Sequence, residues 1–185
     1  MYVELRFHGR GGEGAVTAAN VLAVAALLEG KWAQAIPNFG AERRGAPVEV
    51  YARVSDSPIE IHSSVVNPDI VVVLDYELIK MVDVTRGLKP GGLVVLNSPV
   101  YRSPFPANVR TYCVNATQIA KDLNLVISGW PVVNTAMLGA LAKAAGIVSL
   151  DSVVKAIQQY FSSQTLGKLN SEAAVRSFNS VKLCS

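Results

Sequence analysis

A glycine-rich stretch near the amino terminus has the spacing of an anion-binding loop. Gly9, Gly11 and Gly14 fit the pattern G-x-G-x-x-G, and Gly12 adds a fourth glycine inside it. Between a strand and a helix, such a loop directs backbone N–H groups and the positive end of the helix dipole at one point. The stretch predicts a site for a diphosphate or another anion, or else a tight turn that only lets strand and helix pack.

Two features argue against a dinucleotide as the ligand. A dinucleotide-binding fold usually has an acidic residue about 20 residues past the loop, where it holds the ribose hydroxyls. Here Ile36-Pro37-Asn38 stand at that place, and Glu42 follows only inside the next loop. Glu13 lies within the glycine turn and would itself repel a phosphate. NAD is therefore disfavoured, although a stand-alone nucleotide-binding module or small dehydrogenase stays an alternative.

A pair of adjacent arginines is the second candidate for anion binding. Arg43 and Arg44 follow Glu42 in a loop, 37–47, that contains two glycines and two prolines. Guanidinium groups bind phosphate or carboxylate through two parallel hydrogen bonds. The pair could equally meet acidic groups of another subunit, or be a solvated turn. We favour binding or an interface, because so many glycines and prolines in a short loop indicate a fixed geometry.

Other polar residues give a thin inventory for catalysis. Asp75 and Asn97 end two predicted buried strands, where the ligand sites of α/β sheets collect, so each is a candidate ligand contact or a local turn cap. His8 and His62 have no nucleophile in a catalytic motif beside them, which favours structural roles. Asn134 lies in an apolar helix and must bond, more often to backbone than to a ligand. We predict no catalytic residue and no metal site in this chain.

Composition bounds the class of protein. The 185 residues suit a single domain, 1–185, of which 50% are hydrophobic and 17% charged, with a mean hydropathy of +0.31. The net charge of +3 comes from scattered residues, so nucleic acid is not indicated. The first residues read as a strand and the longest apolar run is short for a bilayer, so we expect a cytoplasmic protein without a membrane partner. Such apolar composition predicts surface buried against other subunits.

Cysteine usage gives two further expectations. Cys113 and Cys184 are far apart and form no C-x-x-C motif. The chain therefore cannot supply a four-cysteine iron–sulfur or zinc site by itself. We expect both thiols to be buried and unpaired in a reducing compartment.

The order of local patterns predicts an open α/β sheet. Residues 2–8 alternate between apolar and polar side chains, the period of a strand with one buried face. The run 15–28 is a long stretch of helix formers. Residues 70–74 and 93–96 are continuous apolar runs, typical of strands covered on both faces. We therefore predict a Rossmann-like, mostly parallel sheet with helices on both faces.

Two regions should depart from that regular pattern. Residues 48–54 and 59–62, around a turn at 55–58, predict one antiparallel hairpin. The helices 15–28 and 132–145 are apolar nearly all round, so we expect each to lie between the sheet and something else, such as a partner chain. In the helical carboxyl-terminal third, we expect Gly167-Lys168 to break the chain between two helices.

Together these motifs resemble a known family over almost the whole chain. The start of the chain is similar to that of the gamma subunit of 2-oxoacid:ferredoxin oxidoreductases, the pyruvate synthase type, except that Gln is usual there where this chain has Glu13. Further stretches match the same family. The matching segments are 7–19, 38–47, 68–75, 90–92, and the helical Asn134 with Leu138-Gly139-Ala140.

The resemblance implies the function of a multi-subunit enzyme. Such an enzyme decarboxylates a 2-oxoacid on thiamine diphosphate, passes electrons through [4Fe-4S] clusters to ferredoxin and transfers the acyl group to coenzyme A. It implies that the thiamine diphosphate and the clusters lie in the alpha, beta and delta partner subunits. The substrate it favours is pyruvate, with 2-oxoisovalerate, 2-oxoglutarate and indolepyruvate as alternatives.

Within such a complex, the gamma domain is associated with the coenzyme A end of the reaction. Since coenzyme A carries a diphosphate and a 3′-phosphate, we predict its contacts at the anion-binding candidates, or else a purely structural subunit whose loop binds nothing. Alone, the chain should be inactive and should self-associate, as a dimer, to cover surface meant for its partners. The predicted cofactor contacts are Gly9, Gly11, Gly12, Gly14, Arg43, Arg44, Asp75 and Asn97.

Overall fold

The first strand lies inside a seven-stranded sheet in the computed structural model, which describes residues 1–38 and 43–185. The strands are β1 Tyr2–Arg10, β2 Trp32–Pro37, β3 Pro47–Ser55, β4 Ile70–Val73, β5 Leu93–Asn97, β6 Arg110–Val114, β7 Val126–Ile127, β8 Trp130–Pro131 and β9 Lys182–Leu183. The helices are α1 Ala15–Leu28, a 3-10 helix Tyr76–Lys80, α2 Ala116–Asp122, α3 Asn134–Ala145, α4 Leu150–Tyr160 and α5 Gln164–Ser180.

The sheet has the order β2-β3-β1-β4-β5-β6-β9, and it confirms the predicted α/β class. Strands β1, β4, β5 and β6 pair in parallel, while β3 pairs antiparallel with both β1 and β2, and β9 antiparallel with β6. Five of the seven strands therefore run in one direction. Their carboxyl ends, and the loops that follow them, meet at one edge of the sheet.

Alternation along β1 separates two unequal cores. Leu5 and Phe7 are fully buried on the face that all five α-helices cover, in the main hydrophobic core. Arg6 and His8 point to the opposite face, which holds a smaller apolar cluster under the 3-10 helix. Helices were predicted on both faces of the sheet, but the covering is uneven. The α-helices cover the first face, while the 3-10 helix and loops cover the second.

The hairpin predicted at 48–62 is wrong in its second half. Residues 59–62 are not a strand, and β3 pairs instead with the nine-residue β1 and with β2. The guanidinium of Arg53 donates hydrogen bonds to the carbonyls of Ile61 and Ser64, each at 3.4 Å. This buried arginine therefore holds the segment against the sheet without a strand ladder. The longer β1 gives β3 a more extensive partner than four residues could.

The separate antiparallel hairpin of the fold is formed by β7 and β8. Ser128 and Gly129 connect them, with φ angles of 51° and 80°. Two successive positive φ values are characteristic of the tight turn that matches the twist of paired strands. This small hairpin follows α2 and precedes α3, and its first strand lines a cleft together with Gly12 and Gly14 of the glycine loop.

The two apolar helices find their cover within the same chain. α1 packs between strands β1 to β3 and the helices α3 and α4. α3 is buried along residues 134–142, mainly against α5. The helical runs that suggested a partner chain are therefore explained by the chain's own later helices, which cover them.

Gly167-Lys168 does not break the chain, contrary to the prediction. Both residues lie inside α5, which begins at Gln164 and is capped by the Ser163 hydroxyl accepting from the Leu166 N–H. The interruption comes earlier, between Tyr160 and Gln164, where the side-chain cap sets a new helix start. A glycine inside a helix is tolerated when packing holds the helix in place.

The two cysteines are paired, which corrects the expectation of free thiols. Cys113 in β6 forms a disulfide with Cys184, and their Cα atoms are 5.5 Å apart. The tail β9 runs beside β6, and the Cys184 N–H donates to the Thr111 carbonyl at 2.8 Å. A separation of 71 residues hides this pairing from any local sequence pattern.

Gly139 marks the closest approach of α3 and α5, and its replacement should destabilise the fold. A Cβ atom at this position would lie 2.0 Å from the Ala174 carbonyl oxygen, so the helices would have to separate. We expect Gly139→Ala to lower the free energy of unfolding by about 1–3 kcal/mol, the usual cost of overpacking. Urea denaturation followed by circular dichroism measures this change.

Gly167→Ala is the matched control for that substitution. Its Cβ atom would meet the nearest neighbour, the Gln158 Cα, at an ordinary 3.8 Å. Inside α5 the alanine should leave stability unchanged or raise it by about 0.5–1 kcal/mol. Equal effects of the two variants would contradict the close packing of α3 on α5.

Candidate functional site

The glycine loop connects β1 to α1 with two residues in left-handed backbone conformation. Gly12 has a φ of 90° and Gly14, the residue that caps α1, has a φ of 84°. A side chain at Gly14 would also meet the Asn134 amide nitrogen at 2.5 Å. The predicted strand, turn and helix start are therefore confirmed, and Gly14 is required by both its conformation and its packing.

The arginine segment docks directly on the glycine loop. The Gly11 N–H donates to the Ala46 carbonyl at 2.8 Å, and the Gly45 N–H donates to the Gly11 carbonyl at 3.0 Å. A Cβ atom at Gly11 would lie 2.5 Å from the Arg43 carbonyl oxygen, so only glycine allows this contact. The structure thus brings together the two candidates for anion binding, although they lie 30 residues apart in sequence.

Both guanidinium groups are available at this junction. Arg43 and Arg44 are exposed, and the Arg44 Cγ would be 3.7 Å from a Cβ atom at Gly12. Among residues 1–38 and 43–185, no carboxylate lies within 4.0 Å of either side chain. Glu42, the third member of the charged cluster, lies outside the described residues.

Backbone N–H groups at the start of α1 also remain available. Gly14 caps the helix without a side chain that accepts a hydrogen bond. The N–H groups of Ala15, Val16 and Thr17 donate to no acceptor in the described part of the chain. These donors and the positive end of the helix dipole therefore face the same region as Gly12 and Gly14.

Glu13 occupies part of the corner formed by the loop. Its Oε2 accepts from the Arg10 N–H at 2.7 Å. Burial raises the pKa of this carboxyl to about 7, and the nearby charge of Asp75 adds to the rise, while the hydrogen bond from Arg10 opposes it. The carboxyl is therefore close to half protonated at neutral pH.

Arg10 is a site residue that the sequence reasoning missed. Its Nε donates to the Asp75 carboxylate at 2.6 Å, and its Nη1 donates to the Gly45 carbonyl at 3.1 Å. The hydrogen bond to Asp75 raises the pKa of this guanidinium further above its ordinary value. Arg10 thus joins β1, the end of β4 and the arginine loop. Its place between two motif glycines was a signal for such a role.

Asp75 and Asn97 lie at the carboxyl edge as predicted, but both already have structural partners. Asp75 caps the 3-10 helix, where its Oδ1 accepts from the Glu77 N–H at 2.9 Å. The Asn97 amide donates to the Leu74 carbonyl at 2.8 Å, and its oxygen accepts from the Ala116 N–H at 3.0 Å. Asn97 therefore connects β5 to the start of α2. This is the role of a local cap, which was one of the two roles predicted for it.

Two of the clefts that border the glycine loop have Glu13 in their lining. One has a volume of about 400 Å³, and its polar wall contains Glu13, Asp75, Asn97, Thr117, Gln118 and Lys121, with Trp130 from the hairpin. The other has a volume of about 270 Å³ and is mainly apolar. It is lined by Gly12, Gly14, Thr17, Asn134, Tyr160, Phe161 and Leu166, among others. A ligand with charged and apolar parts could contact both clefts.

The histidines and Asn134 each have a hydrogen-bond partner within the chain. His8 is buried, and its Nε2 accepts from the Arg6 Nε at 2.9 Å. Burial, with the Arg6 charge beside it, lowers the pKa of His8 to about 4, so the ring is neutral at pH 7. His62 lies at the surface beside Gln34. The Asn134 amide donates to the Gly14 carbonyl at 3.3 Å.

The described residues contain neither a metal-binding cluster nor a membrane-spanning helix. Over 1–38 and 43–185, no group of three or more His, Cys, Asp and Glu side chains is placed to hold a metal ion. None of the helices seen in that same part of the chain is long and apolar enough to cross a membrane.

Comparison with known proteins gives the family. A model of the pyruvate ferredoxin/flavodoxin oxidoreductase family matches residues 4–180. The chain is 51% identical over 183 residues to the pyruvate/ketoisovalerate oxidoreductases common subunit gamma of Thermococcus litoralis, covering 95% of each chain.

Solved structures agree with that match. The pyruvate oxidoreductase subunit PORC of Thermotoga maritima superposes with a TM-score of 0.82 at 35% identity, covering 100% of this chain and 99% of that one. The 2-oxoglutarate:ferredoxin oxidoreductase of Magnetococcus marinus, solved with 2-oxoglutarate, coenzyme A and succinyl-CoA, shares the fold at 21% identity and a TM-score of 0.77. That match covers 95% of this chain and 30% of the larger one. The chain therefore belongs to the pyruvate ferredoxin/flavodoxin oxidoreductase family, as one of its gamma-type subunits.

Proposed function

We propose that this subunit supplies an anion-binding corner for coenzyme A within a complex that converts a 2-oxoacid to an acyl thioester and reduces ferredoxin. The observation that carries this proposal is the docking of residues 43–46 on the glycine loop through two backbone hydrogen bonds. That contact brings a segment with two exposed arginines against the loop that leads into α1, which supports the proposal. Cations and helix-terminal amides together suit phosphate.

Coenzyme A fits the chemistry of this corner. It carries a diphosphate and a 3′-phosphate, which match Arg43, Arg44 and the N–H groups between Gly11 and Gly14. The clefts of about 400 and 270 Å³ are each smaller than the whole molecule, so each would take one portion of it. Asn97 bonds the Leu74 carbonyl beside the corner, a Cβ atom at Gly9 would lie 3.3 Å from that of Ala15, and Asp75 acts through Arg10. The 2-oxoglutarate:ferredoxin oxidoreductase, which shares the fold, was solved with coenzyme A, and this makes coenzyme A the ligand to test here.

The remaining chemistry belongs to partner subunits in this proposal. Both cysteines of the chain are joined in a disulfide, so neither offers a thiolate to an iron–sulfur cluster. We assign thiamine diphosphate and the [4Fe-4S] clusters to alpha, beta and delta subunits, with ferredoxin as the electron acceptor of the whole complex. The chain alone would then be inactive.

Pyruvate is the substrate that we favour, with 2-oxoisovalerate second. The relative from Thermococcus litoralis is a subunit common to pyruvate and ketoisovalerate oxidoreductases, which supports these two over 2-oxoglutarate and indolepyruvate. A shared subunit fits a role at coenzyme A, because the thioester acceptor is the same whichever 2-oxoacid is oxidised.

A purely structural role is the second candidate, and specific contacts favour it. Gly11 and Gly14 are both needed for close packing, against the Arg43 carbonyl and the Asn134 amide respectively. The Glu13 carboxyl already takes one N–H of the corner. A loop that only packs would show all of these features. The full-length match to gamma-type subunits makes a stand-alone nucleotide module the least favoured reading.

Removal of the two arginines should separate these candidates. We expect Arg43→Ala/Arg44→Ala to weaken coenzyme A binding by the assembled complex about 10- to 100-fold, because charge-assisted hydrogen bonds contribute about 1.5–3 kcal/mol each before solvent screening. Isothermal titration calorimetry with coenzyme A measures the dissociation constant.

Arg110→Ala/Arg176→Ala is the charge-matched control for this experiment. Both side chains are exposed, at the start of β6 and in α5, and neither lines the two clefts. The control should bind coenzyme A as the wild type does. Unchanged affinity in the Arg43/Arg44 variant would support the structural candidate instead.

Membership of a complex has its own test. A tagged copy of the chain, expressed in its native host, should co-purify with a thiamine diphosphate-binding subunit and a cluster-bearing subunit, seen as visible absorbance from the clusters and by mass spectrometry. Recovery of the tagged chain without such partners under anaerobic conditions would refute the proposed assembly.

Self-association of the isolated chain stays a prediction, and the structure offers a surface for it. Val126, Ile127, Tyr160 and Leu166 line the apolar cleft and are exposed. We expect light scattering at micromolar concentration to show a dimer that Ile127→Lys weakens. Val66→Lys, at another exposed apolar position, is the control. A monomeric wild type would contradict the prediction.

A further inference from the structure

Two carboxyl groups face each other where the glycine loop meets the end of β4. Glu13 and Asp75 both line the cleft of about 400 Å³. The Asp75 carboxylate is close enough to Glu13 to share a hydrogen bond with it once one of the two carries a proton. Glu13 is held in place by the hydrogen bond from the Arg10 N–H at 2.7 Å.

One arginine, Arg10, donates hydrogen bonds to both of these carboxyl groups. The Nε of Arg10 donates to Asp75 at 2.6 Å, whereas Glu13 receives only the backbone N–H of the same residue. When both carboxyls are ionised, the corner carries one negative charge more than Arg10 neutralises. That charge lies within the loop whose amides would receive a phosphate, so the two negative groups would repel each other.

Other charged or titratable groups face this pair from each neighbouring element. Arg44 borders the loop from the arginine segment, and Lys121 from α2 and Tyr76 from the 3-10 helix line the same cleft. Glu77 adds a further negative charge near Arg10. Lys121 and Arg44 are exposed, so solvent screens their attraction to Glu13 more strongly than it screens the repulsion between Glu13 and the half-buried Asp75.

We propose that Glu13 takes up one proton when an anion binds at the glycine loop and shares that proton with Asp75, so that Glu13 determines how much negative charge the site accepts. The inference rests on the proposed function of the corner. One solvent proton adds to a Glu13 carboxylate oxygen, and the new O–H donates to Asp75. Oε2 keeps its hydrogen bond from Arg10, and no electron is transferred.

Burial prepares this group for such an exchange. It raises the pKa of Glu13 to about 7 in the absence of ligand, so the protonated and ionised forms are both populated near neutral pH. At pH 8 most of the free subunit is ionised at Glu13, and binding must then draw a proton from solvent. At pH 6 most of it is already protonated, and binding draws almost none.

Calorimetry of the assembled complex with coenzyme A tests the inference. At pH 8, titrations in buffers of different ionisation enthalpy should give an uptake of about 0.9 proton per wild-type site beyond that of Glu13→Gln. Glu13→Gln should bind coenzyme A about tenfold more tightly than the wild type at pH 8 and equally at pH 6. Comparison at the same pH cancels the titration of the ligand's own phosphates.

Glu77→Gln is the matched control, since it removes the same charge nearby from a side chain that does not line the cleft. It should keep the proton uptake of the wild type. An infrared difference spectrum of wild type upon binding should show a protonated carboxyl band, and this readout decides the matter if Glu13→Gln does not assemble.

The outcomes separate this inference from the proposed function. Absence of the carboxyl band and equal proton uptake in wild type and Glu13→Gln would overturn the role of Glu13, while weak binding by Arg43→Ala/Arg44→Ala would still support the corner. Binding that neither set of substitutions changes would overturn the corner itself.

Discussion

The close contact of residues 43–46 with Gly11 is the constraint on which the rest of the site depends. Two backbone hydrogen bonds hold it, and the Arg43 carbonyl oxygen lies only 2.5 Å from the position of a Cβ atom at Gly11. Main-chain hydrogen bonds hold the segment, so its arginine side chains are not needed to anchor it. Among the described residues, these side chains have no structural partner. In sequence, the glycine loop has the pattern of a phosphate-binding loop. In the structure, its glycines first of all allow a second loop to pack against it.

Charge balance distinguishes this corner from an ordinary dinucleotide site. A dinucleotide-binding loop leaves its amides open, whereas here Glu13 takes the Arg10 N–H and Asp75 takes the Arg10 side chain. In the part of the chain that the structure describes, three N–H groups at the helix start beside them have no acceptor. Arg10 and Glu13 thus lie in the same loop with Asp75 beside Arg10, so the proposed protonation and the proposed anion binding would involve the same few atoms.

Local sequence patterns were reliable where partners are close in the chain and failed where partners are distant. The helix that begins at Ala15 follows from the local composition of residues 15–28, and it is confirmed. The hairpin at 48–62 was wrong because β1 competes for β3, and the free thiols were wrong because β9 returns to β6. Both of these errors come from pairing between segments that are distant in the sequence.

The sequence alone determined the α/β class, the strand–glycine–helix unit and the types of residue available for an anion, because period, propensity and glycine spacing are properties of neighbouring residues. Only the tertiary structure decided which of those residues meet. It joined Arg43 and Arg44 to the glycine loop, introduced Arg10 and committed Asn97 to α2. The reason is physical: a hydrogen bond or a buried charge is set by the distance between atoms, and the fold, rather than the order of residues, fixes that distance.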